Sequence, residues 1–262
     1  ISLLTRDNLY SFKKYLMSKF TNEVSIKVKI CVRDPKSWAV SSIQQKIKGG
    51  ESYQNSLKRI RNNSKNLFRR IEKFVQVFGK DNVKVYSFEK AVEHKFGPVG
   101  HFLSTLGFDN NEISKFNIIR TNESVSLIGG DILSFINEKM PSIRNGKLHE
   151  KRSQSDWIPF LDMKGPKFDI PYRVKKELFR DCQDDIKWLK NNFGIDYSNL
   201  PKKSQINYKF TEQTNRDIKQ IYFNPKLSKT HKNLIIEYLK IQLKNRNGNK
   251  AILIQLLTEL GF

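Results

Sequence analysis

The stretch from Ile26 to Gln45, IKVKICVRDPKSWAVSSIQQ, constrains the fold more than any other. Ile26, Val28, Ile30 and Val32 alternate with Lys and Cys, the pattern of a strand packed on one side. Pro35 stops it, because proline has no N–H to give a ladder and disfavours helical geometry at Asp34. Proline is tolerated in the first turn of a helix, so Trp38, Val40, Ser41 and Ile43 continue as one. A strand–turn–helix unit of this kind brings amide groups and the positive end of a helix dipole to the strand's carboxyl end. Open α/β sheets bind ligands there. Arg33 closes the strand, and Ser41 follows it by eight residues. A guanidinium fork with a hydroxyl suits a terminal phosphate monoester.

The neighbouring segments extend the pattern. Ile1–Leu4 reads as a short buried strand, Thr5–Asn8 as a turn, and Leu9–Phe20 as a helix with Leu9, Phe12, Leu16 and Phe20 at helical spacing. Strand, helix, strand, helix implies a parallel sheet with crossovers. Gly49-Gly50 closes the second helix. Ser56–Phe78 has the periodicity of one long amphipathic helix, Val83–Tyr86 of a strand, and Gly97–Leu106 of a helix ended by Gly107. Further helices are expected over Leu127–Phe135 and Arg180–Phe193, the latter ended by Gly194. Ser142–Ser155 reads as a basic, solvated loop. Leu200–Asn215 reads as a polar link, and His231–Lys244 with Lys250–Leu260 as a helical hairpin. The expected division is an α/β domain over 1–200, with linker and hairpin over 201–262 packed on it.

With 48 Lys+Arg against 26 Asp+Glu, the 262-residue chain has a formal net charge of +22. That surplus favours anionic partners: nucleic acid, an acidic membrane surface, polyanionic glycans or a nucleotide. Part of it follows from the abundance of Lys, Asn and Ile expected of an AT-rich genome. Cys31 and Cys182 make no disulfide framework; Cys31 is expected to pack in the core, and the usage fits a reducing compartment. The longest apolar run, Ala251–Leu257, is too short to span a membrane, and ISLLTRDN lacks the basic start of a signal peptide. His94, His101, His149 and His231 have no metal-ligand spacing, so no metal is expected. No nucleophile-elbow motif occurs.

VRDPKSWAVSS resembles the 3′-phosphate-binding segment of sulfotransferases that use 3′-phosphoadenosine 5′-phosphosulfate (PAPS). FGKDNVKVYSFEKAVEHKFGPVGHFLSTLGF is similar to the family's next block, through Phe78-Gly79, Val83, Val85, Phe88-Glu89, Phe102-Leu103 and Leu106-Gly107. Asn122-Glu123-Ser124, Ile136-Asn137 and DDIKWLKNNFGID give weaker echoes of bacterial carbohydrate sulfotransferases. The resemblance implies a P-loop-like parallel β-sheet flanked by helices, with a helical C-terminal extension. It implies transfer of a sulfuryl group from PAPS to a hydroxyl or amine of a carbohydrate. Arg33 and Ser41 would then hold the donor's 3′-phosphate. ISLLTRDNL resembles the family's acidic turn and makes Asp7 the proton acceptor, although Asp7 or Asn8 serves equally as a helix N-cap. QQKIKGG resembles the segment that follows in capsule and lipopolysaccharide enzymes, and assigns Lys46 and Lys48 to the acceptor.

One departure stands out. The Lys-bearing loop that cradles the 5′-phosphosulfate does not occur, and the family's order would place it before Ile1. The competing reading is a basic nucleic-acid- or glycan-binding protein without catalysis. No helix-turn-helix, zinc-finger or RNA-recognition signature supports a specific nucleic acid. The partners expected are the nucleotide donor and a glycan. The expected compartment is a bacterial cytoplasm, with the Golgi lumen and a homo-oligomer left open.

Overall fold

In the computed structural model, Val28–Val32 (β1) pairs in parallel with Val83–Ser87 (β2), Val28 opposite Val83 and Val32 opposite Ser87. The structure describes residues 4–20, 24–64, 66–119, 124–144, 147–201, 208–245 and 249–262. Among these the chain runs α1 (Arg6–Lys19), β1, α2 (Pro35–Lys48), α3 (Tyr53–Ser64), α4 (Glu72–Phe78), β2, α5 (Phe88–Val92), α6 (Gly97–Thr105), α7 (Asn110–Ser114) and α8 (Leu127–Lys139). A short antiparallel hairpin, β3 (Ile143–Arg144) and β4 (Lys147–Leu148), follows. Then come α9 (Tyr172–Asp181), α10 (Gln183–Phe193), α11 (Glu212–Phe223), α12 (Lys229–Lys244) and α13 (Lys250–Glu259). The class is α/β and mostly helical, with a small parallel sheet. Among the described residues no helix is long and apolar enough to cross a membrane.

The chain forms two units. The first takes residues 1–38, 63–120 and 176–201, and the second 39–62, 121–175 and 202–262. In the first, the inward residues Ile30, Val32 and Val83 pack with Phe74, Val77 and Phe78 of α4 and with Ile186 and Leu189 of α10. In the second, α8 is buried along most of its length, and α12 packs against both α8 and α13.

Several elements differ from the sequence reading. Ile1–Leu3 of the expected first strand lie outside the described residues, and Leu4 is exposed and not in a strand. Thr5 rather than Asp7 or Asn8 caps α1, its hydroxyl accepting from the Asn8 amide while the Asn8 side chain accepts from the Thr5 amide. The helix expected over Ser56–Phe78 is broken into α3 and α4. Asn66 takes a left-handed φ of 58°, and the Phe68 amide donates to Asp185 Oδ2 at 2.7 Å instead of to a helical carbonyl. The link over 200–215 gives way to α11 from Glu212, capped by Thr211. Cys31 is exposed on the outer face of β1 rather than packed in the core.

Candidate functional site

The turn after β1 is fastened by its own side chains. Asp34 precedes Pro35 as the cap of α2, and its Oδ1 accepts from the Lys36 amide at 2.9 Å. The free amide expected at the start of this helix is therefore already taken, and by a carboxylate. The Lys36 ammonium lies 3.1 Å from Asp34 Oδ2 and also donates to the carbonyl of Asn199 at 2.8 Å. What the turn leaves for an anion is Arg33. It is half-buried, its guanidinium centred 4.7 Å from the Phe88 ring centroid, and its Nε donates to Ser37 Oγ at 3.1 Å. The described residues give its Nη1 and Nη2 no hydrogen-bond partner. Two N–H groups in a fixed plane, held by a ring and a hydroxyl, form a fork able to take two phosphate oxygens.

Behind Arg33 stands Glu89, at the start of α5. Its Oε1 accepts from the Asp34 amide at 3.1 Å and from Ser37 Oγ at 3.2 Å. Its Oε2 accepts from Ser87 Oγ at 3.1 Å and from Tyr197 Oη at 2.8 Å. Partial burial pushes the carboxyl upward, but the hydrogen bonds from Tyr197, from its own amide, from the Asp34 amide and from Ser87 outweigh it and hold it below the usual range. An anion stabilised in this way is a poor proton acceptor, so Glu89 is a positioning group. Tyr197 Oη also lies 3.2 Å from the Val32 carbonyl, which competes for the same hydrogen and brings the end of β1 to the same network.

The residues singled out in the sequence fall as follows. Asp7 lies exposed in the first turn of α1. Ser41 lies two turns inside α2, half-buried, its hydroxyl without a hydrogen bond to the described residues. Arg33 belongs to the first unit and Ser41 to the second. Lys46 is half-buried and paired with Glu51 at 3.7 Å, whereas Lys48 is buried with its ammonium 4.0 Å from the Trp157 ring centroid. Lys48 lines a cavity together with Trp157.

Comparison with protein-family models, with curated proteins and with solved structures finds no match.

Two participants, Ser37 and Tyr197, escaped the sequence reading, and Glu89 entered it only as part of a block resemblance with no role at the turn. Ser37 carried a usable signal, because it stands four residues before Ser41 on the same helix face. Tyr197 carried none, being 108 residues from Glu89. In the second unit, Arg152 was read as part of a solvated loop but is buried. It donates to Asn137 Oδ1 at 2.8 Å, to the Met140 carbonyl at 2.6 Å and to Asp156 Oδ2 at 2.7 Å. Asn137 Nδ2 in turn donates to the carbonyls of Ile47 and Glu51, fixing the end of α2. Asn122 and Glu123 lie outside the described residues, and Ser126 caps α8.

Proposed function

We propose that the chain is a PAPS-dependent sulfotransferase acting on a hydroxyl or amine of a carbohydrate, with the P-loop-like sheet of that family. The observation that carries this reading is Arg33. It sits at the carboxyl end of a parallel strand, its guanidinium 4.7 Å from the Phe88 ring centroid and its Nε bonded to Ser37, with neither Nη group hydrogen-bonded to a described residue. The resemblance of VRDPKSWAVSS supplies the ligand, a 3′-phosphate, and adds the Ser41 hydroxyl.

The donor carries an activated sulfuryl group, which passes to the acceptor oxygen or nitrogen as 3′,5′-ADP leaves with the bridging oxygen. The protein's part is positioning and charge stabilisation. Arg33 neutralises the 3′-phosphate, and Glu89 and Ser37 keep the guanidinium in one orientation. Asp7, an exposed carboxylate, receives the acceptor's proton.

Titration with 3′,5′-ADP tests the reading. Arg33→Ala is expected to weaken binding by about 1.5–3 kcal/mol, the value of a charge-assisted hydrogen bond. A folded Arg33→Ala protein that binds 3′,5′-ADP as tightly as the parent removes the basis for the assignment.

A further inference from the structure

Two adjoining cavities flank the connection from α2 to α3 in the second unit. The first, of about 510 Å³, is lined by Gln45, Lys48, Gln154 and Trp157 beside Ile143 and Leu148 of the hairpin. The second, of about 460 Å³, takes Glu51, Asn55, Lys58, Arg59 and Asn62. Gly49, Ser142 and Ile143 line both, so one ligand can extend from one into the other.

The lining has a chemical signature. The Trp157 indole N–H donates to the Gln154 carbonyl at 3.0 Å, so the side chain's one polar atom is satisfied and its ring and edge remain as contact surface. The Lys48 ammonium against the ring holds it in place. Gln45, Gln154, Asn55 and Asn62 each offer a carbonyl oxygen and an NH₂ group, the pairing that suits hydroxyls, which both donate and accept. Glu51 Oε1 is held by Arg59 at 3.4 Å and Lys46 at 3.7 Å, but Glu51 Oε2 is buried without a hydrogen-bond partner. That oxygen needs a donor. A sugar hydroxyl supplies one, whereas a phosphate or sulfate does not and would meet a carboxylate. Lys48, Lys58 and Arg59 outnumber Glu51, so the cavities as a whole are positive.

We propose that these cavities bind an extended acidic oligosaccharide. One ring lies against Trp157, hydroxyls meet the amides and Glu51, and carboxylate or sulfate groups meet Lys58 and Arg59. That this ligand is the sulfuryl acceptor rests on the sulfotransferase reading; that it is a saccharide rests on the cavities alone.

The full chain is titrated with a heparin hexasaccharide and with maltohexaose by calorimetry at about 0.15 M ionic strength, where non-specific attraction of a basic surface is reduced. The acidic hexasaccharide is expected to bind with a defined stoichiometry, at least tenfold more tightly than the neutral one. Trp157→Ala and, separately, the exposed Lys58→Ala should each weaken it roughly five- to tenfold, while Arg33→Ala leaves it unchanged. Heparin affinity that ignores both Trp157→Ala and Lys58→Ala, or loss of 3′,5′-ADP binding in Trp157→Ala with heparin binding intact, overturns the proposal. Should Trp157→Ala not fold, Lys58→Ala with Asn62→Ala decides by the same criterion. Hexasaccharide binding without any 3′,5′-ADP binding defeats the sulfotransferase reading and leaves the saccharide site standing. The reverse result defeats the site and leaves the reading.

Discussion

Tyr197 Oη donates to Glu89 Oε2 at 2.8 Å, joining the segment after α10 to the first turn of α5, directly behind Arg33. The same hydroxyl reaches the Val32 carbonyl, so one oxygen ties together the ends of two elements that carry the candidate phosphate site.

Tyr197→Phe removes one of the Glu89 hydrogen bonds while keeping the ring. The expected cost near neutral pH is about 1 kcal/mol, toward the low end because the carboxylate is partly solvated. Since the folded state holds Glu89 below its ordinary value, its contribution is present above about pH 4.3 and is lost as pH falls through the depressed value. Urea midpoints of parent and variant should therefore converge on acidification below about pH 4. A gap that stays constant through that range would show that the carboxylate is not the partner that matters.

Arg152→Met deletes a buried guanidinium that serves Asn137, Met140 and Asp156 at once. Removing one member of a buried pair leaves Asp156 without its nearest cation and should cost about 3–5 kcal/mol. Calorimetric melting measures it, and a loss under about 1 kcal/mol would mean the site relaxes by admitting water.

His231 is buried beside that pair. Its Nδ1 shares a hydrogen with Ser228 Oγ at 2.6 Å, and its Nε2 lies 3.3 Å from Asp156 Oδ2 but is not aligned as a hydrogen bond. Burial lowers its proton affinity; Asp156 opposes this and Arg152 reinforces it. The unfolded chain therefore takes up this proton first. Stability is complete above about pH 6.5 and declines as pH falls through the lowered folded value. His231→Gln should flatten the stability curve below about pH 6.5, and an unaltered slope would place the proton uptake elsewhere.

Gly50 closes α2. Its amide donates to the Ile47 carbonyl at 3.0 Å and that of Glu51 to Lys46 at 2.9 Å, with φ of +90° at Gly50. A Cβ there would stand 1.6 Å from Ser142 Oγ. Gly50→Ala should cost more than the ~1 kcal/mol of left-handed backbone alone. Adding Ser142→Gly should recover the clash but not the backbone strain. Full recovery in the double variant would show that φ at this position is free to change.

The local elements were legible in the residues. The alternation over Ile26–Val32 and Val83–Tyr86, the stop at Pro35, and the glycines at 49–50, 107 and 194 are short-range patterns that act through backbone geometry; the strands appear within two residues of those bounds, at 28–32 and 83–87, and helices end at those glycines. The Arg33 turn was legible for the same reason. How that turn is satisfied was not: a capping carboxylate and Glu89 occupy amides that the sequence alone left open, because Glu89 is 55 residues from Asp34.

Periodicity also misled where distant groups intervened. Ser56–Phe78 carries a continuous apolar stripe, yet Asp185 captures the Phe68 amide from 117 residues away and the helix divides. Arg152 looked like one more surface cation, and only the packing of the end of α8 against its segment gives it the Asn137 and Met140 acceptors. The sequence by itself determined which two segments pair as strands, where α2 and α10 stop and which strand ends in an arginine, since neighbouring residues decide those matters. Tertiary structure decided which charges are buried, which hydrogen bonds replace helical ones and that Trp157 meets Lys48, since each joins residues far apart in the chain, and local pattern carries no record of such encounters.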